Sequence, residues 1–226
     1  MTRTAPAVAA VVTLLLLGVT ACSKDSGAGV SSLQTPTPKS SALAAPADKA
    51  KKSTLAGLAV LPRGYIADTQ NSTGPFTATA FLNSWSADPA TDRALLLNAS
   101  FVEGYRETRL SPDKKKRYTL QLFKTGSAAK AKALQQGFWS QDTHERPFDV
   151  PDALSDARVA FDGGANQSVA IAEVSMVVGA LVAELSVQQN GALGTNLQPD
   201  TGLLTNLAKQ QRARLTAKST AAAPSG

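Results

Sequence analysis

The sequence predicts an α+β domain, an antiparallel sheet packed with about three helices, preceded by a signal peptide and a disordered linker. Three observations carry that prediction. Short segments of strand-like pattern recur between residues 76 and 187, separated by turns rich in Gly, Pro and Asp. Between them, three stretches place apolar residues at helical spacing. Residues 1–55 show neither pattern, since a leucine-rich run there gives way to Ser, Ala, Gly, Pro, Thr and Lys.

Residues 1–21 read as a signal peptide. Arg3 and the amino terminus supply a weakly positive start, and residues 7–19 are uninterrupted apolar, Gly and Thr residues. That run is shorter than the roughly 20 residues that cross a hydrocarbon core, and it ends in Ser23, Lys24, Asp25, Ser26 and Gly27. From residue 22 to 55 the only larger apolar residues are Val30, Leu33, Leu43 and Leu55. Such a segment buries too little to offset its chain entropy and is expected to be a disordered tether.

The domain proper spans 56–216. Residues 76–82 alternate as Phe76, Ala78, Ala80 and Leu82, which predicts a strand. Asp88-Pro89 is an N-cap followed by Pro in the first turn, and predicts a helix through Leu95, Leu96 and Leu97. Residues 101–110 and 117–124 are then two strands joined by a turn whose chemistry comes from Pro112-Asp113. Gly126-Ser127 starts a second helix carrying Ala131, Leu134 and Phe138. Residues 157–161, 168–176 and 181–187 are three further strands, with Gly163-Gly164 and Gly179 at the turns. Pro199-Asp200 opens a last helix, with Leu203, Leu204, Leu207, Ala208 and Leu215 on its buried side. Residues 217–226 are small and polar and are expected to form a disordered tail.

Two resemblances follow from particular residues. Val19-Thr20-Ala21-Cys22 resembles the lipobox of bacterial lipoproteins: an aliphatic residue, two small residues, then cysteine. That resemblance implies cleavage between Ala21 and Cys22 and lipidation of Cys22. The partner would be the bilayer, and the location the outer face of the cytoplasmic membrane. Two acyl chains anchor a protein stably where one does not. The second resemblance rests on Phe101-Val102-Glu103-Gly104-Tyr105-Arg106, Val150-Pro151-Asp152 and Gln210-Gln211-Arg212. These are similar to segments of small actinobacterial surface lipoproteins, of which the LpqN-like group with a PsbP-like sandwich is the named example. It implies no catalytic residue. Ser100 stands where that pattern has Gly.

Charge excludes one class of partner. The chain carries +6, but residues 56–216 hold 16 Lys and Arg against 15 Asp and Glu. A nucleic-acid binder concentrates its positive charge on the folded domain, and this chain does not. Lys114, Lys115, Lys116 and Arg117 are the sharpest basic feature, a candidate contact with anionic lipid or wall polymer if they are not simply solvated turn residues.

Chemistry is sparse. His144 is the only histidine, so a Glu-flanked zinc motif lacks its second histidine. No Gly-x-Ser-x-Gly elbow presents a serine nucleophile either. No metal or cofactor is expected. Asp142, Glu145, Asp149, Asp152 and Asp156 could supply the carboxylate pair of an envelope hydrolase, or could lie on an exposed, Pro-bearing connection. Trp85, Trp139, Phe138 and Tyr105 are expected in the core. The expectation is a non-catalytic, ligand- or protein-binding domain outside the membrane, with the hydrolase as its alternative.

Overall fold

A computed structural model describes residues 54–162 and 166–221. The signal peptide, Cys22, all but the last two residues of the tether, the Gly163-Gly164 turn and residues 222–226 lie outside the described residues.

Seven strands form one antiparallel sheet: β1 (Ile66–Ala67), β2 (Gly74–Phe76), β3 (Glu103–Leu110), β4 (Lys116–Lys124), β5 (Ala153–Asp162), β6 (Gln167–Val178) and β7 (Leu181–Ala192). Their spatial order is β1-β3-β4-β7-β6-β5, and β2 pairs with the other end of β3. Among the described residues four α-helices accompany them: α1 (Ala78–Ser84), α2 (Pro89–Asn98), α3 (Ala128–Trp139) and α4 (Thr201–Ala221). The fold is α+β, as the alternation of patterns predicts.

Residues 76–82 are a correction. The strand ends at Phe76, and Ala78 begins α1. Thr77 is extended and its side chain accepts the Ala80 N–H at 3.2 Å, so it caps a helix. Phe81 and Leu82 are adjacent and both buried, which a helix accommodates and a one-sided strand does not. The last helix also differs: α4 continues to Ala221, so residues 217–221 are helical rather than part of a tail.

Helix α2 ends as its sequence requires. Asp88 accepts the N–H groups of Ala90 and Thr91 at the start. At the end, Phe101 N–H bonds Leu96 O and Ser100 N–H bonds Leu97 O, which makes Ser100 the left-handed residue (φ 47°) of a Schellman cap. This is the position where the lipoprotein pattern has Gly.

The two faces of the sheet are built differently. On one, Tyr118, Leu120 and Leu122 of β4, Ala183, Leu185 and Val187 of β7, and Ala172, Val174 and Met176 of β6 are all buried beneath α4 and residues 55–60. Gln211, fully buried on α4, donates its amide N–H to Leu58 O and accepts the Val60 N–H, both at 2.9 Å. Tyr118 donates to Val60 O at 2.9 Å, and Arg214 donates to Ala59 O at 2.7 Å.

On the opposite face, α1, α2 and α3 cover one end only. Phe123 of β4 and Val182 of β7 pack there with Phe76, Phe81, Leu96, Leu134 and Phe138. Phe76 lies over Gly104, where an added Cβ would stand 2.1 Å from its ring, so only glycine admits this packing. Away from that end the same face of β4, β6 and β7 carries Thr119, Gln121, Glu173, Ser175, Glu184, Ser186 and Gln188. A strand face that no helix covers stays polar, and here that polar surface is the floor of a cleft.

Candidate functional site

The cleft encloses about 350 Å³, within the range of small-molecule sites. Its floor is the polar face just described. One wall is Phe81, Trp85, Asp88 and Asp92 from α1, α2 and the turn between them; the other is Phe138, Trp139, Gln141 and Asp142 from the end of α3. Trp85 and Trp139 are half-buried, which corrects the expectation that both are core residues. Phe138 and Tyr105 are buried, as expected.

Among the described residues, five carboxylates line the cleft and no Lys, Arg or His does. Asp88 is engaged in capping α2, and Asp92 accepts from Ser86 Oγ at 2.6 Å and Gln141 Nε2 at 2.8 Å. Glu173 is paired with Arg158, which also lies 3.2 Å from Asp156. Glu184 differs, for it has no hydrogen-bond or ion-pair partner among the described residues. Burial pushes its carboxyl up to about 8, and the like charges of Glu173, Asp142 and Asp92 add to that rise. Two polar atoms of residues lining the cleft are buried without a hydrogen-bond partner among the described residues: Ser175 Oγ, on a residue only 2 % exposed, and Gln121 Nε2.

Behind the cleft, Arg106 lies with its guanidinium 4.9 Å from the Trp85 ring centre. His144 stacks on Trp139 at 4.1 Å and donates from Nε2 to Trp139 O at 2.7 Å. That bond leaves Nδ1 facing Glu173 at 3.9 Å. His144, Asp156 and Glu173 are the one group among the described residues whose ligand atoms could gather round a metal. Arg158 already bridges the two carboxylates, so the position a cation would take holds a guanidinium.

The five carboxylates between 142 and 156 separate. Asp142 lines the cleft. Glu145, Asp149 and Asp152 are exposed and line no part of it. Asp156 is fully buried; burial alone would raise its carboxyl, but the N–H groups of Arg146 and Glu145 and the Arg158 side chain outweigh that and hold it low. Its role is to pin the 142–152 connection to β5, and no catalytic pair forms from this segment.

The basic run separates as well. Lys114 and Lys115 are exposed at the β3–β4 turn. Lys116 pairs with Asp200 at 2.6 Å and Arg117 with buried Asp68 at 3.0 Å. Two of the four residues expected at a surface contact therefore hold α4 and the β1–β2 connection in place.

The sequence reading missed Glu173, Glu184, Gln121 and Ser175. A signal was present, because β4 and β7 are central strands whose second face reads Thr119, Gln121 and Glu184, Ser186, Gln188. A central strand covered on both sides is apolar on both.

These features define an α+β domain with a cleft on the partly covered face of its sheet. No family model and no curated protein matches the chain. Among solved structures, the extracellular domain of PknH from Mycobacterium tuberculosis is similar at 11 % identity and a TM-score of 0.38, covering 70 % of this chain and 81 % of that one.

Proposed function

We propose that this chain is a lipid-anchored extracytoplasmic protein whose domain binds a small ligand in the cleft between β4, β6, β7 and the ends of α1 and α3. The anchor rests on Val19-Thr20-Ala21-Cys22 and the leader before it. Among the described residues no helix is long and apolar enough to cross a membrane, which is compatible with attachment through Cys22 lipid. The observation that carries the binding reading is the cleft itself: an aromatic-walled cavity with buried, unpartnered Ser175 Oγ and Gln121 Nε2 in its lining. Leaving such groups unmet costs ~1–3 kcal/mol each, and a bound ligand would meet them.

Each half has its own test. Cys22→Ser should move the protein from the membrane fraction to the soluble fraction and abolish labelling by radioactive palmitate; an unchanged membrane fraction refutes the anchor. For the cleft, thermal-shift screening of the purified full chain against a chemically diverse small-molecule set should give hits that Trp139→Ala weakens. Hits indifferent to that change, or none, refute the binding reading. The hydrolase alternative would require turnover by the purified chain, lost when a pair of cleft carboxylates is changed to amides.

A further inference from the structure

We infer that the ligand of this cleft is an organic ammonium compound, with an apolar body held between the aromatic walls and a hydrogen-bonding group that meets the floor. The inference rests on the small-ligand reading above and names the chemistry that reading leaves open. Among the described residues the cleft's own lining is charged with one sign only; of the nearest arginines, Arg158 is paired with Asp156 and Glu173, and Arg106 lies against the Trp85 ring with its Nε unpartnered, outside the lining. An anionic ligand would meet repulsion from the carboxylates of the lining.

A metal ion is the other cationic occupant, and the geometry disfavours it. A metal needs three or more donor atoms close together. Among the described residues, Glu184 and Asp142 belong to no group of three His, Asp or Glu donors lying within 4.8 Å of one another; the group that exists, His144, Asp156 and Glu173, is bridged by Arg158. Carboxylates spread around a 350 Å³ cavity suit a cation mounted on an organic frame. Phe81, Trp85, Phe138 and Trp139 supply the apolar walls for that frame, and indole faces attract ammonium groups. Ser175 Oγ and Gln121 Nε2 provide the second, independent demand: a polar group besides the ammonium.

Glu184 makes binding depend on pH. It faces Glu173 of β6, Asp142 after α3 and Asp92 of α2, all acidic, with Arg158 of β5 and Arg106 of β3 beyond them and His144 against Glu173. Protonated Glu184 offers an ammonium little; the ionised carboxylate attracts it strongly. Affinity therefore rises with pH from 6 to 8, by up to about 50-fold if only the ionised form binds, and binding releases a proton from Glu184.

The experiment uses three compounds of matched shape: 2-amino-1-phenylethanol, the neutral 1-phenyl-1,2-ethanediol, and anionic mandelate. The chain's only two tryptophans both line the cleft, so intrinsic fluorescence of the full chain reports occupancy directly. The amine should give a saturable change at pH 8, with the diol at least tenfold weaker and mandelate silent. The amine's affinity should fall toward pH 6, and Glu184→Gln should weaken it at least tenfold at pH 8 and flatten that pH dependence. Binding of the diol or mandelate as tightly as the amine overturns the ammonium assignment and leaves the cleft reading standing. Silence from all three also overturns the assignment, while the broader screen decides the cleft reading. The charge series in the unaltered protein does not depend on the variant folding.

Discussion

Glu184 on β7 sets a measurable link between stability and pH. Its carboxyl sits at about 8 in the folded protein against a reference value of 4.5, with burial as the main cause. The folded value is raised, so the protonated group contributes fully below the unfolded pKa, and that contribution is lost as pH rises through the folded one. Treating Glu184 alone, folding should lose ~2.5 kcal/mol between pH 5 and pH 7, and ~3.5 kcal/mol between pH 5 and pH 8. For a domain of this size the loss to pH 7 corresponds to about 5–10 °C in melting temperature. Glu184→Gln keeps the shape and removes the titration. The assay is denaturant or thermal unfolding of both proteins at half-unit steps from pH 5 to pH 8, read as the difference between them. Taking a difference removes the contributions of Asp68, Asp156 and Asp200, which are held low and act at acid pH. The variant should gain on the unaltered protein as pH rises, with the gap narrowest at pH 5. Parallel curves would mean that Glu184 ionises as an ordinary surface carboxyl and that the cleft is wetter than its geometry implies.

Two structural predictions are independent of the cleft. Gln211→Ala removes both hydrogen bonds to Leu58 and Val60 and leaves two backbone groups unmet in the core. A loss of about 2–4 kcal/mol is expected from denaturant midpoints, and Gln211→Leu should recover little of it. Gly104→Ala places a methyl group inside the Phe76 ring. It should cost about 1–3 kcal/mol and alter the near-ultraviolet circular dichroism of the aromatic cluster around Phe123, whereas a change below 0.5 kcal/mol would show that the ring moves aside freely.

Most of the sheet was legible because its strands are punctuated by residues with one job. Pro112-Asp113 marks the β3–β4 turn, Ser127 caps α3, and Asp88-Pro89 opens α2, each through local chemistry that tertiary context did not override. Residues 76–82 were misread because two periods coincide over so short a span. Phe76 and Leu82 fit alternation, but Phe81, which breaks it, is buried as well, and its burial depends on α1 turning back over Phe123. The cleft was illegible for another reason. Its members come from β4, β6, β7, α1, α2 and α3, and which sheet face a helix leaves uncovered depends on how far α1–α3 extend across it. The carboxylates grouped in sequence at 142–156 divide in space: Glu145, Asp149 and Asp152 are exposed, Asp142 lines the cleft, and Asp156 is buried against the Glu145 and Arg146 N–H groups. Glu184 stands alone in sequence, and its carboxyl is pushed up to about 8 by burial.

The docking of Leu55–Val60 has a mechanical consequence. Those residues lie on the α4 side of the sheet and are fastened there through Gln211, Tyr118 and Arg214, whereas the cleft opens on the other side. A pull along the N-terminal chain is therefore borne first by a row of hydrogen bonds to α4 and β4. The strands in between act as a stiff plate, and the walls formed by Trp85 and Trp139 lie outside the line of force. Force entering through Leu55 and occupancy of the cleft can vary independently.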